Sequence, residues 1–238
     1  MKKVIYFFAL LWVASSLQSC VFLLRDEYLP AQGTIEQTYN FGGFDRLEMG
    51  SAFDIRVVQG RDFQVKVKGD KSDVDDLMVT VRGGELQIYY RTSRSRRYPM
   101  YVDVVMPTLA GVDFSGASTS TVDGFSNLQE VDILLSGASR STVNIGSKYL
   151  NIDLSGASTL DLSGNSFRTD SQLSGASLLN AFNHNSEEAY INASGASRAR
   201  LSVSKLLKGS ASGASNIRYR GNPQVSVGTS GGSVVERD

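Results

Sequence analysis

The chain lacks most of what catalytic and nucleic-acid-binding proteins are built from. Its 238 residues include one cysteine, one histidine, one tryptophan and four prolines. A lone cysteine, Cys20, excludes the disulfide framework on which many small exported domains rely. A lone histidine, His184, lies in the polar stretch Asn183-His184-Asn185 ahead of Glu187 and Glu188. It has no second strong metal ligand at a defined spacing and is expected on a surface loop. The calcium-binding nonapeptide Gly-Gly-x-Gly-x-Asp is missing as well. Charge is balanced, with 24 basic and 24 acidic residues. That excludes the basic footprint of a nucleic-acid binder and strong adhesion to anionic lipid. Few prolines beside 23 glycines fit many tight turns and no long linker.

What is present begins with a leader. Lys2 and Lys3 precede an unbroken apolar run, Val4 to Ala14, followed by Ser15, Ser16, Ser19 and Cys20. The run is too short to span a bilayer and has the layout of a secretory signal peptide. Leu17-Gln18-Ser19-Cys20 resembles a bacterial lipoprotein signal, in which the cysteine becomes the lipidated first residue. A retained anchor from Val4 to Leu24 is the alternative, weakened by the polar residues between Ser15 and Ser19. The expected organisation is a signal peptide at 1–19, a lipidated spacer at 20–33 and one domain at 34–236. Loss of Lys2 and Lys3 leaves 22 basic and 24 acidic residues.

The domain is dominated by a repeat. Ser-Gly-Ala-Ser begins at Ser115, Ser136, Ser155, Ser174, Ser194 and Ser212, at spacings of 21, 19, 19, 20 and 18 residues. A period this short means one small unit stacked on itself. Before each tetrapeptide the pattern is mostly apolar, polar, apolar, as in Ile133-Leu134-Leu135 and Ile152-Asp153-Leu154. After it, Val122, Val143, Leu162, Ala181, Leu201 and Tyr219 form one column, each preceded by a polar residue. Two short strands with one buried face thus flank each tetrapeptide. A third side falls to the variable stretches, such as Asn144 to Tyr149 or Asn183 to Glu188. Strand, corner, strand, corner every 18 to 21 residues predicts an all-β parallel β-helix. Six coils at ~4.8 Å give a rod of roughly 25–30 Å, and the crossover preference favours the right hand.

At the corner, glycine permits the bend, alanine is expected to point into a narrow interior, and the serines are expected to form hydroxyl ladders along the stack. Upstream, Leu47 and Met49 fit the inward columns, Gly50-Ser51-Ala52-Phe53 replaces the tetrapeptide, and Ile55 and Val57 continue it. Gly83-Gly84 reads as a hairpin turn. Residues 34–107 are therefore expected to begin the rod and cap its end against edge pairing.

These features resemble one known family. Phe44-Asp45-Arg46-Leu47, the coil from Gly50 to Val57 and Gly84-Glu85-Leu86-Gln87-Ile88 all match it. So do the Ser-Gly-Ala-Ser series, Gly221-Asn222-Pro223-Gln224-Val225 and Ser230-Gly231-Gly232-Ser233-Val234. The family is the auto-transporter adhesin head, or GIN, domain, and the resemblance spans about residues 34–236. It implies a right-handed β-helix and a cell-envelope location, and it brings no catalytic residues with it.

Three features could carry chemistry. Asp113 and Asp153 share an outward column two coils apart, ~9.6 Å by strand spacing, near the range of inverting glycosidases. Leu134 stands between them, which favours a solvated face. Arg91, Arg94, Arg96 and Arg97, among Tyr89, Tyr90, Tyr98 and Tyr101, form the densest basic patch. It could grip an acidic or phosphate-bearing surface, or keep an edge strand soluble. The serine stripe could bind sugar or peptide, although no serine has a catalytic base beside it in sequence. The expectation is a non-enzymatic, lipid-anchored envelope protein of the outer membrane. It has no cofactor, and its partner is a protein or a glycan. The alternative is a glycan-binding or polysaccharide-cleaving β-helix.

Overall fold

The computed structural model describes residues 29–238, so the expected signal peptide at 1–19 and Cys20 lie outside the described residues. Elements follow as β1 (Thr34–Tyr39), β2 (Arg46–Met49), β3 (Phe53–Gln59), β4 (Gln64–Asp70), α1 (Lys71–Val74), β5 (Leu77–Arg82), β6 (Glu85–Tyr90), β7 (Met100–Met106) and β8 (Gly111–Phe114). Then come β9 (Thr119–Leu135), β10 (Arg140–Leu154), β11 (Thr159–Leu173), β12 (Leu178–Ala193), β13 (Arg198–Ala211), β14 (Asn216–Arg220), β15 (Gln224–Thr229) and β16 (Val234–Arg237). Together they make a parallel β-solenoid of about seven turns.

The tetrapeptide sets the stack. Its glycines, such as Gly137, Gly156 and Gly175, have φ of 70–71°. A Cβ at any of these three would also lie 2.5 Å from the carbonyl oxygen of the glycine one coil before. Two demands, left-handed backbone and close stacking, therefore converge on the one residue without a side chain. The following alanine N–H closes the corner on the previous coil, as in Ala157 to Gly137 O at 2.7 Å. With the corners locked, β9 to β13 stay in register: Thr119, Arg140, Thr159, Leu178 and Arg198 align coil over coil.

Three expectations about the corner and its neighbourhood are corrected. The alanines face outward, and the second serine of each tetrapeptide is the buried one (Ser158 and Ser197 are 0% exposed). The turn carries Gly-Ala away from the axis, and the chain re-enters through the serine. Nor do these serines form a ladder. The hydroxyls of Ser118, Ser158, Ser177 and Ser197 are buried and, among the described residues, find no hydrogen-bond partner along the stack. Ser139 and Ser215 instead bond back to the carbonyls of Ser136 and Ser212. Hydroxyls do meet one column on, where Ser120 donates to Ser141 at 2.7 Å. Finally, His184 is 1% exposed and lies within β12.

The core runs the length of the rod. Val122 and Val143 line one wall, Ile133 and Ile152 the next, and Phe125 and Ile145 the third, all buried. Each such side chain contributes roughly 1.5–3 kcal/mol on burial.

Chain order and stack order part at the N-terminal end. β2 and β3 pair with β8 and β9 on one side, as the register from Leu47 predicts. On their other side they pair with β6 and β7, which come later in the chain. The chain therefore crosses from β3 to β4 over the place that β7 fills. Gly60 makes that crossing, donating its N–H to Met106 O at 3.0 Å, and a Cβ there would collide with Val105. β5 pairs antiparallel with β6 through the Gly83-Gly84 turn, β4 with β7, and β1 with β4. These antiparallel strands are the cap. At the far end β15 and β16 pair on one side only among the described residues, and β16 carries Glu236 and Arg237, charges that discourage edge pairing.

Candidate functional site

The arginine loop joins β6 to β7. Arg94 and Arg96 both reach the buried Asp73 carboxylate of α1 at 2.7 Å, and Arg96 also pairs with Asp76. Arg94 further donates to Ser72 O at 2.8 Å, and the Arg96 guanidinium lies 3.4 Å over the Tyr90 ring. Burial pushes the Tyr90 hydroxyl up to about 12. Burial would raise the Asp76 carboxyl, but the Thr92 hydroxyl and Arg96 together hold it below its ordinary value. Two of the four arginines thus fasten the loop to α1, while Arg91 and Arg97 are exposed at its rim. The loop borders a cavity of about 460 Å³ whose other side is Ser51 and Ala52. Those two residues take left-handed φ of 71° and 62°, in the first corner, which lacks the usual glycine.

The carboxylate column is assembled as the register requires: Asp113, Leu134 and Asp153 stand on successive coils. Leu134, 39% exposed, keeps the two carboxylates apart. Burial, with Glu48 and Glu85 nearby, raises the Asp113 carboxyl above its usual range. Elsewhere on the walls, carboxylates are engaged from other coils, Arg46 reaching across Gly111 to do so. Asn144 donates to Asp123 at 2.8 Å, Asn180 to Asp161 at 2.8 Å, and Arg46 pairs with Asp132 at 2.7 Å.

Two features escaped the sequence. The first is a polar knot in the core. Gly164 and His184 are partners on adjacent coils, below Ile145; Gly164 has φ of 111°, and a Cβ there would collide with the Ile145 carbonyl. His184 Nδ1 donates to Ser163 O at 3.3 Å, which leaves Nε2 to accept from the Ser166 hydroxyl at 3.1 Å. Ser166, Thr169 and Ser186 close a triangle of hydroxyls at 2.7, 2.8 and 3.2 Å. Burial drives the His184 pKa down to about 4, so the ring is neutral.

The second is a groove directly outside this knot, at the third corner of each coil, where the chain passes from the Ile145 wall to the Ile152 wall. It encloses about 440 Å³ and is floored by Gly146, with Asn127, Gln129, Lys148, Asn165 and Phe167 around it. Phe167 is 41% exposed and is held edge-on by Tyr149, ring centroids 6.3 Å apart. Arg168 stacks on Tyr190 at 3.9 Å beside them. Among the described residues no cluster of His, Cys, Asp and Glu could hold a metal ion, and no helix is long and apolar enough to cross a membrane.

The same architecture occurs in solved structures. A "putative adhesin" from Bacteroides fragilis superposes with a TM-score of 0.83 at 19% identity, over 88% of this chain and 99% of its own. A "putative lipid binding protein" from Parabacteroides distasonis gives 0.72 at 16% identity, covering 87% and 98%. A "putative adhesin" from Parabacteroides merdae gives 0.68 at 17%, covering 87% and 97%. At these identities the likeness is one of fold. No curated protein matches the sequence. Residues 43–223 match the family described as "Putative auto-transporter adhesin, head GIN domain", and the chain belongs to that family.

Proposed function

We propose that the chain is an exported, non-enzymatic interaction module, anchored in the outer membrane through a lipid on Cys20 and displaying its solenoid walls to an envelope or extracellular partner. The observation that carries this reading is the state of the wall carboxylates. Asp123, Asp132, Asp161 and Asp170 are bonded by Asn144, Arg46, Asn180 and Arg168, two of them from adjoining coils and Arg46 from two coils away. Carboxylates so engaged stabilise a rigid surface, whereas acid–base chemistry needs a convergent pair with displaced pKa values. The adhesin names of the family and of two similar structures point the same way. β1 opens the described chain on the outer side of the cap. A tether running back to Cys20 would therefore hold the capped end toward the membrane and the walls clear of it.

The test has two arms. Cys20→Ala should move the protein from the membrane fraction to the soluble one; retention would overturn the anchor. Cross-linking on intact cells should capture a surface or envelope component, and turnover of any polysaccharide by the purified chain would overturn the non-enzymatic reading.

A further inference from the structure

The groove at the third corner differs from the rest of the surface in three ways. Its amides are idle. Along the flat walls asparagines bond across coils, as Asn144, Asn151, Asn180 and Asn192 do. Asn127, Gln129 and Asn165 make no such side-chain bond among the described residues, although they surround one concavity. Its aromatic ring is presented, not packed: Phe167 faces outward, and Tyr149 fixes its orientation. Its floor is a missing side chain. Gly146 has ordinary backbone, and a Cβ there would stand 3.5 Å from Asn165 Oδ1.

From this geometry we propose that the groove binds a neutral oligosaccharide. A sugar ring has an apolar C–H face and a rim of hydroxyls, which suits one exposed aromatic platform ringed by unpaired amides. Charge selects little here. Of the charged residues lining the groove, Lys148 lies 5.1 Å over the Tyr149 ring and Glu187 is paired with Lys205, so no cluster of cations marks it for an acidic ligand. The form of the site argues against a peptide. β10, β11 and β12 are each paired on both sides, so the groove offers no strand edge for an added chain. From Asn127 to Glu187 it crosses three inter-coil steps, about 14 Å, room for an extended glycan and not a single monosaccharide. This assignment rests on the interaction-module reading and gives it a ligand class.

The full-length chain in detergent would be titrated calorimetrically with cello-, malto-, manno- and N-acetylchito-tetraose. At least one should bind, and Phe167→Ala and Gly146→Val should each weaken it by about tenfold or more. Tyr101→Ala, an exposed aromatic on β7 far from the groove, should leave it unchanged, and circular dichroism would confirm that all variants fold. Lack of binding to all four sugars, or equal binding by both groove variants, would overturn the assignment. If cross-linking still captured a partner in that case, the interaction-module reading would stand and only the sugar would fall.

Discussion

Lowering the pH should unlock the core at His184. In the folded chain its pKa is about 4, against 6.5 for an unperturbed imidazole, because burial disfavours the cation. The geometry agrees: Nδ1 donates to a carbonyl and Nε2 accepts from Ser166, so a second ring proton would force the Ser166 hydroxyl to reverse its bond inside the knot. A depressed folded-state pKa contributes stability that is complete above about pH 6.5 and is lost as pH falls through about 4. The full displacement corresponds to about 3 kcal/mol at ~1.4 kcal/mol per decade. At pH 5, where most carboxylates are still ionised, about 2 kcal/mol should already be gone. Neither cause of the shift is a charged neighbour, so salt should change it little. The assay is urea unfolding followed by circular dichroism at pH 7.5 and pH 5, for the native chain and His184→Gln. The native chain should lose about 2 kcal/mol more than the variant between the two pH values. Equal losses would refute the account of the knot.

Other substitutions probe the corner, the hydroxyl pair and the loop. Gly156→Ala adds left-handed strain at φ 70° and a Cβ 2.5 Å from Gly137 O, and should cost about 2–4 kcal/mol. Gly228→Ala, where a Cβ meets nothing within 4 Å, should stay within about 0.5 kcal/mol of the native value in the same denaturation assay. Ser120→Ala strands the Ser141 hydroxyl and should cost about 1–3 kcal/mol, while the double variant Ser120→Ala/Ser141→Ala should recover much of it; a simply additive cycle would contradict the pairing. Asp73→Asn removes the carboxylate shared by Arg94 and Arg96 and should destabilise the cap by about 3 kcal/mol. Hydrogen exchange should show this first in the loop that follows β6.

Where the sequence writes in period it is legible. Leu47 and Met49 are found beside Val112 and Phe114 because inward residues on adjacent coils must match, and Gly83-Gly84 turns a hairpin because both take positive φ. The third corner is different. The stack slips register there, between Ile145 and Ser147, and also at the corner before it, between Val143 and Ile145 and at Asp161 to Ser163, so columns read by constant spacing no longer align. Hydrophobicity then misassigns the inside: Asn183-His184-Asn185 looks like a loop, yet its middle residue is buried in the core. The insertion of β6 and β7 outside β2 and β3 was hidden for another reason. Strand patterns specify which face is buried and are silent on which coil a strand joins.

These observations meet in one stretch of β11. Asn165, Ser166 and Phe167 alternate out, in, out, as a strand requires. The middle residue is tied to His184, Thr169 and Ser186, while its neighbours form part of the groove wall. An apolar residue at 166 would fill the core, but it could not fix the backbone between the amide and the ring by directional bonds to three partners. The polar knot thus costs some hydrophobic burial and in return holds the proposed binding surface on a strand, on the side of the rod where coil length varies. The Ser-Gly-Ala-Ser corner has no such freedom, since every glycine there is stacked on the last. Variation in register falls on both flanks of the Ile145 wall, and the buried histidine lies between them because irregular bends need hydrogen bonds where regular stacking cannot supply them.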